Sequence, residues 1–141
     1  PNPLDDFLNK RSGLVGLAGV SDMRDITERR AAGDANAALA FDVYIHRLRT
    51  YIGAYAAQMG GVDVISFTAG VGENSALVRA AATETLGFLG VELDPARNEA
   101  RTPGIRTISA DGSAVSVLVV PTNEELEIAR QTLSTVTPGG L

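Results

Sequence analysis

The sequence predicts an α/β fold in which helices flank a mixed β-sheet. Three observations support this prediction: an apolar run followed by glycines over 62–75, helical periodicity over 35–59, and two extended runs over 106–120 joined by Asp111-Gly112. The 141 residues are enough for one domain, and they contain no obvious repeat, low-complexity tract or linker. We therefore expect residues 1–141 to form a single unit.

The first part of the chain is predicted to become helical after an irregular start. Residues 1–20 hold several glycines and leave room only for a short helix near 4–9. Ser21 or Asp22 is suited to cap a helix over 23–32, because a short polar side chain can accept a hydrogen bond from a first-turn N–H group.

A long helix is predicted over 35–59, after a break at Gly33-Asp34. Its apolar residues return at helical spacing, and the alanines between them allow close packing. Gly60-Gly61 is expected to end it, because glycine readily adopts the left-handed conformation of a helix terminus. The apolar run at 62–67 then predicts a central strand that is covered on both faces.

The glycines after this strand are the most informative feature of the chain. Thr68-Ala69-Gly70-Val71-Gly72 predicts a tight turn, followed by a helix over 74–86 that Asn74 or Ser75 caps. Glycine lets a ligand approach the backbone, and a helix start offers N–H groups that favour phosphate. The alternative is an ordinary strand-to-helix turn. The segment matches neither the dinucleotide fingerprint nor the P-loop, so nucleotide binding here requires another α/β scaffold.

Short apolar runs and turn residues predict the remaining elements. These are a short strand at 91–93, a polar loop at 94–104, a hairpin formed by 106–110 and 114–120, a helix over 123–133 and a frayed tail at 138–141.

The segment Thr122-Asn123-Glu124-Glu125 joins the last predicted strand to the last helix. Thr122 and Glu125 have the spacing of a capping box, in which each side chain accepts a hydrogen bond from a backbone N–H group. Glu124 is not needed for that box, and it lies at the carboxyl end of a strand, where ligands of α/β sheets gather. Glu124 is therefore a candidate Mg²⁺ ligand. The alternative is that an acidic residue simply favours a first helical turn.

Ser21-Asp22-Met23-Arg24-Asp25 places two carboxylates around one arginine at a helix start. Capping and a local ion pair explain this pattern. The alternative is that the guanidinium fork of Arg24 frames a base or a phosphate. His46 is the only histidine and has no cysteine to share a metal with, so we expect an ordinary helix residue. No Ser/His/Asp nucleophile can be assembled, and no catalytic residue is assigned.

Composition argues against several classes of partner. The formal net charge of −5 disfavours nucleic acid, which needs a basic surface. No apolar run approaches the ~20 residues that span a membrane, so no membrane is expected as a partner. The absence of cysteine excludes disulfides and thiolate metal sites, and it is typical of a cytoplasmic protein.

Five segments together resemble the carboxyl-terminal part of acetate kinases. They are Leu8-Asn9-Lys10-Arg11-Ser12-Gly13-Leu14, Ser21-Asp22-Met23-Arg24-Asp25-Ile26, Tyr51-Ile52-Gly53-Ala54-Tyr55, Phe67-Thr68-Ala69-Gly70-Val71-Gly72-Glu73-Asn74-Ser75 and Pro121-Thr122-Asn123-Glu124-Glu125-Leu126. Their order and spacing extend through nearly the whole chain. Two departures are small, since Met23 stands where an aromatic residue is common and Val71 where isoleucine is common.

The resemblance implies an acetokinase with the actin-like ATPase (ribonuclease H-like) fold. Such an enzyme transfers a phosphoryl group between ATP and acetate with Mg²⁺. The residues that the resemblance assigns are Asp22, Met23 and Arg24 against the adenosine, Gly70, Val71, Gly72, Glu73 and Asn74 in the loop that contacts the nucleotide, and Glu124 at the magnesium ion.

The resemblance also implies what is missing. Acetate kinases are longer and have two domains, and this chain resembles only the later part of the carboxyl-terminal domain. No motif here matches the acetate pocket or the catalytic arginines, histidine and aspartate. We therefore expect a truncated acetate kinase without its amino-terminal domain, inactive alone, which meets acetate or acetyl phosphate through the missing portion and forms homodimers through the long helix. The alternatives are part of a propionate or butyrate kinase, or a stand-alone nucleotide-binding or dimerisation module without catalysis.

Overall fold

The computed structural model describes residues 2–136, in which eight α-helices and one 3₁₀ turn accompany a three-stranded sheet. The helices are α1 (Pro3–Lys10), α2 (Leu14–Ala18), α3 (Met23–Ala31), α4 (Ala35–Met59), α5 (Ala69–Asn74), α6 (Ala76–Thr83), α7 (Pro95–Glu99) and α8 (Glu124–Val136), and the 3₁₀ turn is Gly87–Leu89. The strands are β1 (Val64–Phe67), β2 (Arg106–Thr107) and β3 (Ser116–Val119). The predicted α/β class is confirmed.

The sheet is mixed, as predicted, and has the order β1-β3-β2. Strand β1 runs parallel to β3, and β2 runs antiparallel to it. The central strand is β3, whose Val117 and Val119 are fully buried. The prediction that 62–67 forms a central strand covered on both faces is wrong for the described residues, because β1 is an edge strand and Val64 is half exposed. Apolar composition does not specify which strands lie beside a given one.

Two groups of buried side chains form the core. The first joins α3 to α4, where Ile26 and Ala37 have no exposed surface. The second joins the sheet to α6 and includes Val117 and Ala82. Leu48 of α4 packs against both groups. The alanines of α4 let α3 approach closely, as expected from the sequence, and the long helix connects the two halves of the core.

The bounds of α4 are those predicted, and both ends have the expected caps. The Asp34 side chain accepts hydrogen bonds from two first-turn N–H groups, at 2.9 and 3.2 Å. Gly60 ends the helix with φ of 73°. At the start of α3, the cap is Asp22 rather than Ser21, and its carboxylate accepts a hydrogen bond from the N–H group of Arg24 at 2.8 Å.

Three expectations about the less regular segments are wrong. The short helix predicted near 4–9 is present as α1, but the rest of the start is not irregular, because α2 follows at Leu14–Ala18. The expected polar loop at 94–104 contains α7, because Asp94 caps that helix and Pro95 is suited to a first helical position. In the described chain, the expected strand at 91–93 is reduced to one isolated bridge at Leu93.

The segment after β1 is also not a tight turn. Gly70 and Gly72 lie inside the short helix α5, and the next helix begins at Ala76. Of the two predicted caps, Ser75 is the one used, since its Oγ accepts a hydrogen bond from the N–H group of Val78. A cluster of glycines marks where an extended chain ends, but it does not distinguish a turn from a single short helix.

The predicted hairpin is confirmed in its pairing, with Arg106 opposite Val119. The last helix begins close to the predicted residue and extends to Val136, and none of its side chains is buried. The predicted tail at 138–141 lies outside the described residues. Over residues 2–136, no helix is both long enough and apolar enough to cross a membrane.

Candidate nucleotide site

A groove with a volume of about 770 Å³ lies between the start of α3 and α5. Its lining comes from three segments, namely Ser21, Asp22, Met23, Arg24 and Thr27, then Gly70, Val71, Asn74 and Ser75, and finally Arg101. The fold therefore brings together the two segments that the resemblance assigned to a nucleotide. Two residues of that assignment, Gly72 and Glu73, do not line the groove.

Asp22 and Arg24 form an ion pair at the edge of the groove. Nε of Arg24 donates to the Asp22 carboxylate at 3.1 and 3.2 Å, and Nη2 donates to it at 2.6 Å. These hydrogen bonds from Arg24 lower the pKa of Asp22 to about 2. The Arg24 side chain is 90% exposed, so most of its planar donor group remains accessible to a ligand.

Met23 and Val71 supply the apolar part of the lining. Met23 is 5% exposed and belongs to the core between α3 and α4, and Val71 packs against the same core. Both side chains are therefore held by packing from behind. A fixed apolar surface beside a few polar groups is the usual composition of a small-molecule pocket.

The two glycines of α5 have different structural roles. A Cβ atom on Gly70 would meet no atom within 4 Å, so Gly70 leaves open space beside the groove. A Cβ atom on Gly72 would lie 3.2 Å from the backbone carbonyl carbon of Phe67, which is tighter than ordinary packing allows. Gly72 is therefore needed for the close approach of α5 to β1, whereas Gly70 is the glycine that a ligand can approach.

The chain enters α5 through a conformation that non-glycine residues rarely adopt. Ala69 has φ of 58°, in the left-handed region, where the Cβ atom is crowded by the backbone. Ala69 and Gly70 also line a second depression, on the side of α5 that faces the start of α8. Backbone strain of this kind often occurs at binding sites, where the surrounding structure maintains it.

The N–H groups expected to face an anion are arranged differently from the prediction. Asn74 lies inside α5, where its Nδ2 donates to the carbonyl of Gly70 at 2.8 Å. Ser75 already satisfies one N–H group at the start of α6. The prediction that free N–H groups of a helix start face an anion behind a glycine turn is therefore wrong for this segment. The groove is formed by side chains and by the backbone of α5.

Arg79 of α6 holds the end of α5, although no local sequence pattern marks this residue as functional. Its Nη1 donates to the carbonyls of Gly72 and Glu73, both at 2.9 Å, and these are carbonyls that a helix leaves unpaired in its last turn. Its Nε and Nη2 donate to the side chain and backbone of Asn98 at 2.8 and 2.6 Å. Arg79 is only 2% exposed, and burial lowers the pKa of its guanidinium.

Glu73 connects α5 to the segment Thr122–Glu125, which we term the acidic turn. Oε1 of Glu73 accepts hydrogen bonds from the backbone N–H and the hydroxyl of Thr122, at 2.8 and 2.9 Å. The predicted capping box is therefore wrong, because the Thr122 hydroxyl has a tertiary partner. The cap of α8 is Asn123, whose side chain accepts a hydrogen bond from the N–H group of Leu126 at 3.1 Å.

A depression of about 320 Å³ lies between α5 and the acidic turn, lined by Ala69, Gly70, Thr122, Asn123, Glu124 and Glu125. Both glutamates are exposed. Within the described part of the chain, no group of three or more His, Asp or Glu side chains is arranged to hold a metal. A cation here would need oxygens from phosphate and water. That donor set suits Mg²⁺, which usually keeps several waters and takes one or two carboxylates.

Four residues of the groove are not among the predicted site residues, namely Ser21, Thr27, Ser75 and Arg101. Thr27 lies one helical turn after Met23, so helical periodicity could have identified it. Arg101 follows α7, and no local signal connects that segment to α3 or α5. It also lines a neighbouring cavity of about 490 Å³ that contains Arg79 and Arg106.

Comparisons with known proteins agree on one family. The sequence matches the Acetokinase family over residues 1–130. A curated relative named acetate kinase, from Leifsonia xyli subsp. xyli, is 62% identical over 136 residues, which cover 96% of this chain and 34% of that protein.

Solved structures with the same fold include the acetate kinase of Porphyromonas gingivalis, with a TM-score of 0.83 and 41% identity over 95% of this chain and 34% of that one. A propionate kinase from Francisella tularensis subsp. tularensis SCHU S4 has a TM-score of 0.80 and 35% identity, over 91% of this chain and 32% of that one. The chain therefore spans about a third of the length of the relatives that it matches.

Proposed function

Because the chain belongs to the acetokinase family, we propose that it forms the nucleotide-binding part of an acetate kinase. The complete enzyme would transfer a phosphoryl group between ATP and acetate, with acetyl phosphate as the product. The observation that carries this proposal is the groove in which the Asp22–Arg24 segment faces the Gly70–Asn74 segment.

In this proposal, the adenosine of ATP or ADP occupies the groove. Its volume of about 770 Å³ lies within the range of small-molecule pockets. Met23 and Val71 would contact the base, and the guanidinium of Arg24 would lie over or beside it. Gly70 and Asn74 would line the path of the nucleotide toward the second depression, because Gly70 borders both spaces.

Glu124 is the proposed link to Mg²⁺. It lines the second depression, which Gly70 also borders. A single exposed carboxylate is a suitable Mg²⁺ partner when the nucleotide phosphates and waters complete the coordination. The magnesium ion would neutralise phosphate charge, and the contribution of this chain would be to hold Glu124 at a fixed distance from the groove.

We further propose that the chain corresponds to the later part of the carboxyl-terminal domain of an enzyme with the actin-like ATPase fold. Phosphoryl transfer depends on positioned cationic groups around the migrating phosphoryl group. The described groove and depression contain arginine and glutamate side chains that suit nucleotide binding, and no acetate pocket is assigned to them. We therefore expect the 141-residue chain alone to form no acetyl phosphate.

Self-association is proposed to occur through α4. Six exposed residues follow one another at intervals of four along this helix: Leu39, Val43, Arg47, Tyr51, Tyr55 and Met59. The rings of Tyr51 and Tyr55 stack with centroids 6.3 Å apart, and Arg47 lies over Tyr51 at 5.4 Å. Rows at this spacing form the ridges along which helices pack. We propose that a second copy of the chain covers this row, and that the protein is cytoplasmic.

Two other functions would use the same groove. A propionate or butyrate kinase would differ in its acyl pocket, which is not assigned to these residues, and one structural relative is named a propionate kinase. A stand-alone nucleotide-binding module would bind ADP without any catalysis. Acetate kinase remains the proposed function because the curated relative with 62% identity carries that name.

Calorimetric titration of the chain with ADP, with and without Mg²⁺, tests the proposal. We expect saturable binding that Gly70→Val weakens, because the added side chain would enter the groove. Gly112→Val is the matched control, since Gly112 has equally open surroundings and lies in the hairpin away from the groove. Failure of the unaltered chain to bind ADP, or equal weakening by both variants, would contradict the proposal.

A further inference from the structure

The carboxylate of Glu73 binds Thr122, and Glu73 does not border the groove that Gly70, Val71 and Asn74 line. Both of its hydrogen bonds from Thr122 end on the same atom, Oε1, at 2.8 and 2.9 Å. They join two segments that are 49 positions apart in the sequence. The Thr122 hydrogen bonds also lower the pKa of the Glu73 carboxyl, which shows that the ionised form is the one they stabilise.

The backbone of Glu73 is held as firmly as its side chain. The carbonyl accepts a hydrogen bond from the buried Arg79 at 2.9 Å, and Arg106 donates to the same carbonyl at the longer distance of 3.4 Å. Because the residue is anchored at both ends, its carboxylate has little freedom to leave Thr122. Glu73 is therefore a fixed connection and not a mobile surface side chain.

This connection joins the acidic turn directly to α5. Within residues 2–136, the hydrogen bonds that join Thr122–Val136 to the rest of the chain are the two that Glu73 accepts. Helix α8 has no buried side chain, so packing does not hold it either. Thr122 lies two residues before Glu124, and Gly72 of α5 precedes Glu73 directly. The sheet fixes the chain just before this segment, since the N–H group of Val120 donates to the Phe67 carbonyl at 2.8 Å, and the Glu73 carboxylate then fixes Thr122, from which the chain continues to Glu124.

We propose that Glu73 is a positioning residue that couples nucleotide binding at α5 to cation binding at Glu124. The proposal rests on the function proposed above. It assigns no contact between Glu73 and the ligand, because the carboxylate acts through Thr122. Outer partners that orient a metal-binding group typically contribute 10- to 100-fold to metal affinity, and we expect an effect at the lower end of that range.

The test measures the factor by which Mg²⁺ increases the affinity of the chain for ADP, which we term the magnesium gain. It is measured in the unaltered protein and in four variants. Glu73→Ala removes the acceptor and should reduce the magnesium gain about tenfold. Glu73→Gln keeps an acceptor oxygen at the position of Oε1 and should retain most of the gain. Thr122→Val removes one donor and should reduce the gain, whereas Thr122→Ser should preserve it. Glu92→Ala, at an exposed residue outside the three cavities, is the control.

A role in stability alone would lower ADP affinity equally with and without Mg²⁺, and rescue by glutamine and serine would then appear in both conditions. The backbone amide resonance of Thr122 provides a second readout, which should move in Glu73→Ala and much less in Glu73→Gln. An unchanged magnesium gain in both Glu73→Ala and Thr122→Val would overturn the inference. If the unaltered chain binds ADP but shows no magnesium gain, the proposed magnesium site is contradicted. If it does not bind ADP, the proposed function is contradicted.

Discussion

Thr122 donates two hydrogen bonds to a single oxygen of Glu73, and so the segment that follows β3 is tied to the end of α5. Glu73 belongs to the segment that is proposed to contact the nucleotide. Thr122 belongs to the segment that contains Glu124, the proposed Mg²⁺ ligand. The contact joins the segment that follows β3 to the helix that follows β1, so both segments lie at the same end of the three-stranded sheet.

The two glycines of α5 should respond oppositely to alanine. Gly72→Ala brings a Cβ atom to 3.2 Å from the Phe67 backbone and should destabilise the fold by ~1–2 kcal/mol. Gly70→Ala meets no neighbour and should stabilise α5 by up to ~1 kcal/mol, while it weakens ADP binding. Urea unfolding and ADP titration of the two variants check both statements. Equal unfolding midpoints would contradict the assigned difference.

Replacing Arg79 should destabilise the chain strongly. Arg79→Met removes the donor of the Gly72 carbonyl and of both Asn98 acceptors, and it leaves the Glu73 carbonyl with only the longer hydrogen bond from Arg106. We expect a loss of ~3 kcal/mol. Arg79→Lys should be intermediate, because an ammonium group cannot reach all these acceptors. Thermal unfolding measures the effect, with the exposed Arg130→Met as the control. Similar losses in both methionine variants would argue against the network.

The ion pair of Asp22 with Arg24 predicts a pH dependence. The pKa of Asp22 in the folded chain, about 2, lies below the ordinary value of ~3.9, so its ionised form stabilises the fold above pH ~4. That contribution should disappear as the pH falls from ~4 through 2. Carboxyl NMR titration should show a higher pKa for Asp22 in Arg24→Gln and the same low pKa in Arg30→Gln, on the same helix. An unchanged pKa in Arg24→Gln would refute the assigned cause.

Glu124 and Glu125 provide a matched pair for the magnesium site. Both are exposed at the start of α8, and both border the depression beside Gly70. Glu124→Gln should reduce the effect of Mg²⁺ on ADP affinity about tenfold, or ~1.4 kcal/mol, whereas Glu125→Gln should leave most of it. Titrations with and without Mg²⁺ separate the two. A larger loss in Glu125→Gln would move the proposed ligand to Glu125.

The exposed row on α4 should mediate self-association. Tyr51 and Tyr55 are 51% and 59% exposed, which leaves a large apolar surface in contact with water. We expect sedimentation at high protein concentration to show a dimer, and the double variant Tyr51→Asp/Tyr55→Asp to shift it to the monomer by like-charge repulsion. Gln58→Asp, an exposed change on the same helix, is the control. A monomer at all concentrations would contradict the proposed interface.

Elements with strong local signals were predicted well. The bounds of α4 agree because Asp34 and Gly60 mark its ends, and helix caps depend on residues within one turn. The start of α3 agrees for the same reason. The short helix α5 was predicted as a turn, because its glycines are compatible with both conformations and only packing against Phe67 distinguishes them.

The sequence predicted the separate segments of the candidate site but not the contacts between them. Asp22 to Arg24 and Gly70 to Asn74 came from the resemblance to acetate kinases, and the fold places both segments in one groove. The sequence could not show that Glu73 turns away from this groove to bind Thr122. It also could not reveal Arg101, because no local pattern relates that residue to α3.

The sequence by itself determined the α/β class, the family and the bounds of α3 and α4, since these depend on composition and on interactions within a few residues. Only the tertiary structure decided the edge position of β1, the burial of Arg79 and the pairing of Glu73 with Thr122. Each of these requires segments that are distant along the chain to meet. The hydrogen-bonding partner of a charged side chain therefore depends on which distant segment the fold brings within hydrogen-bonding distance.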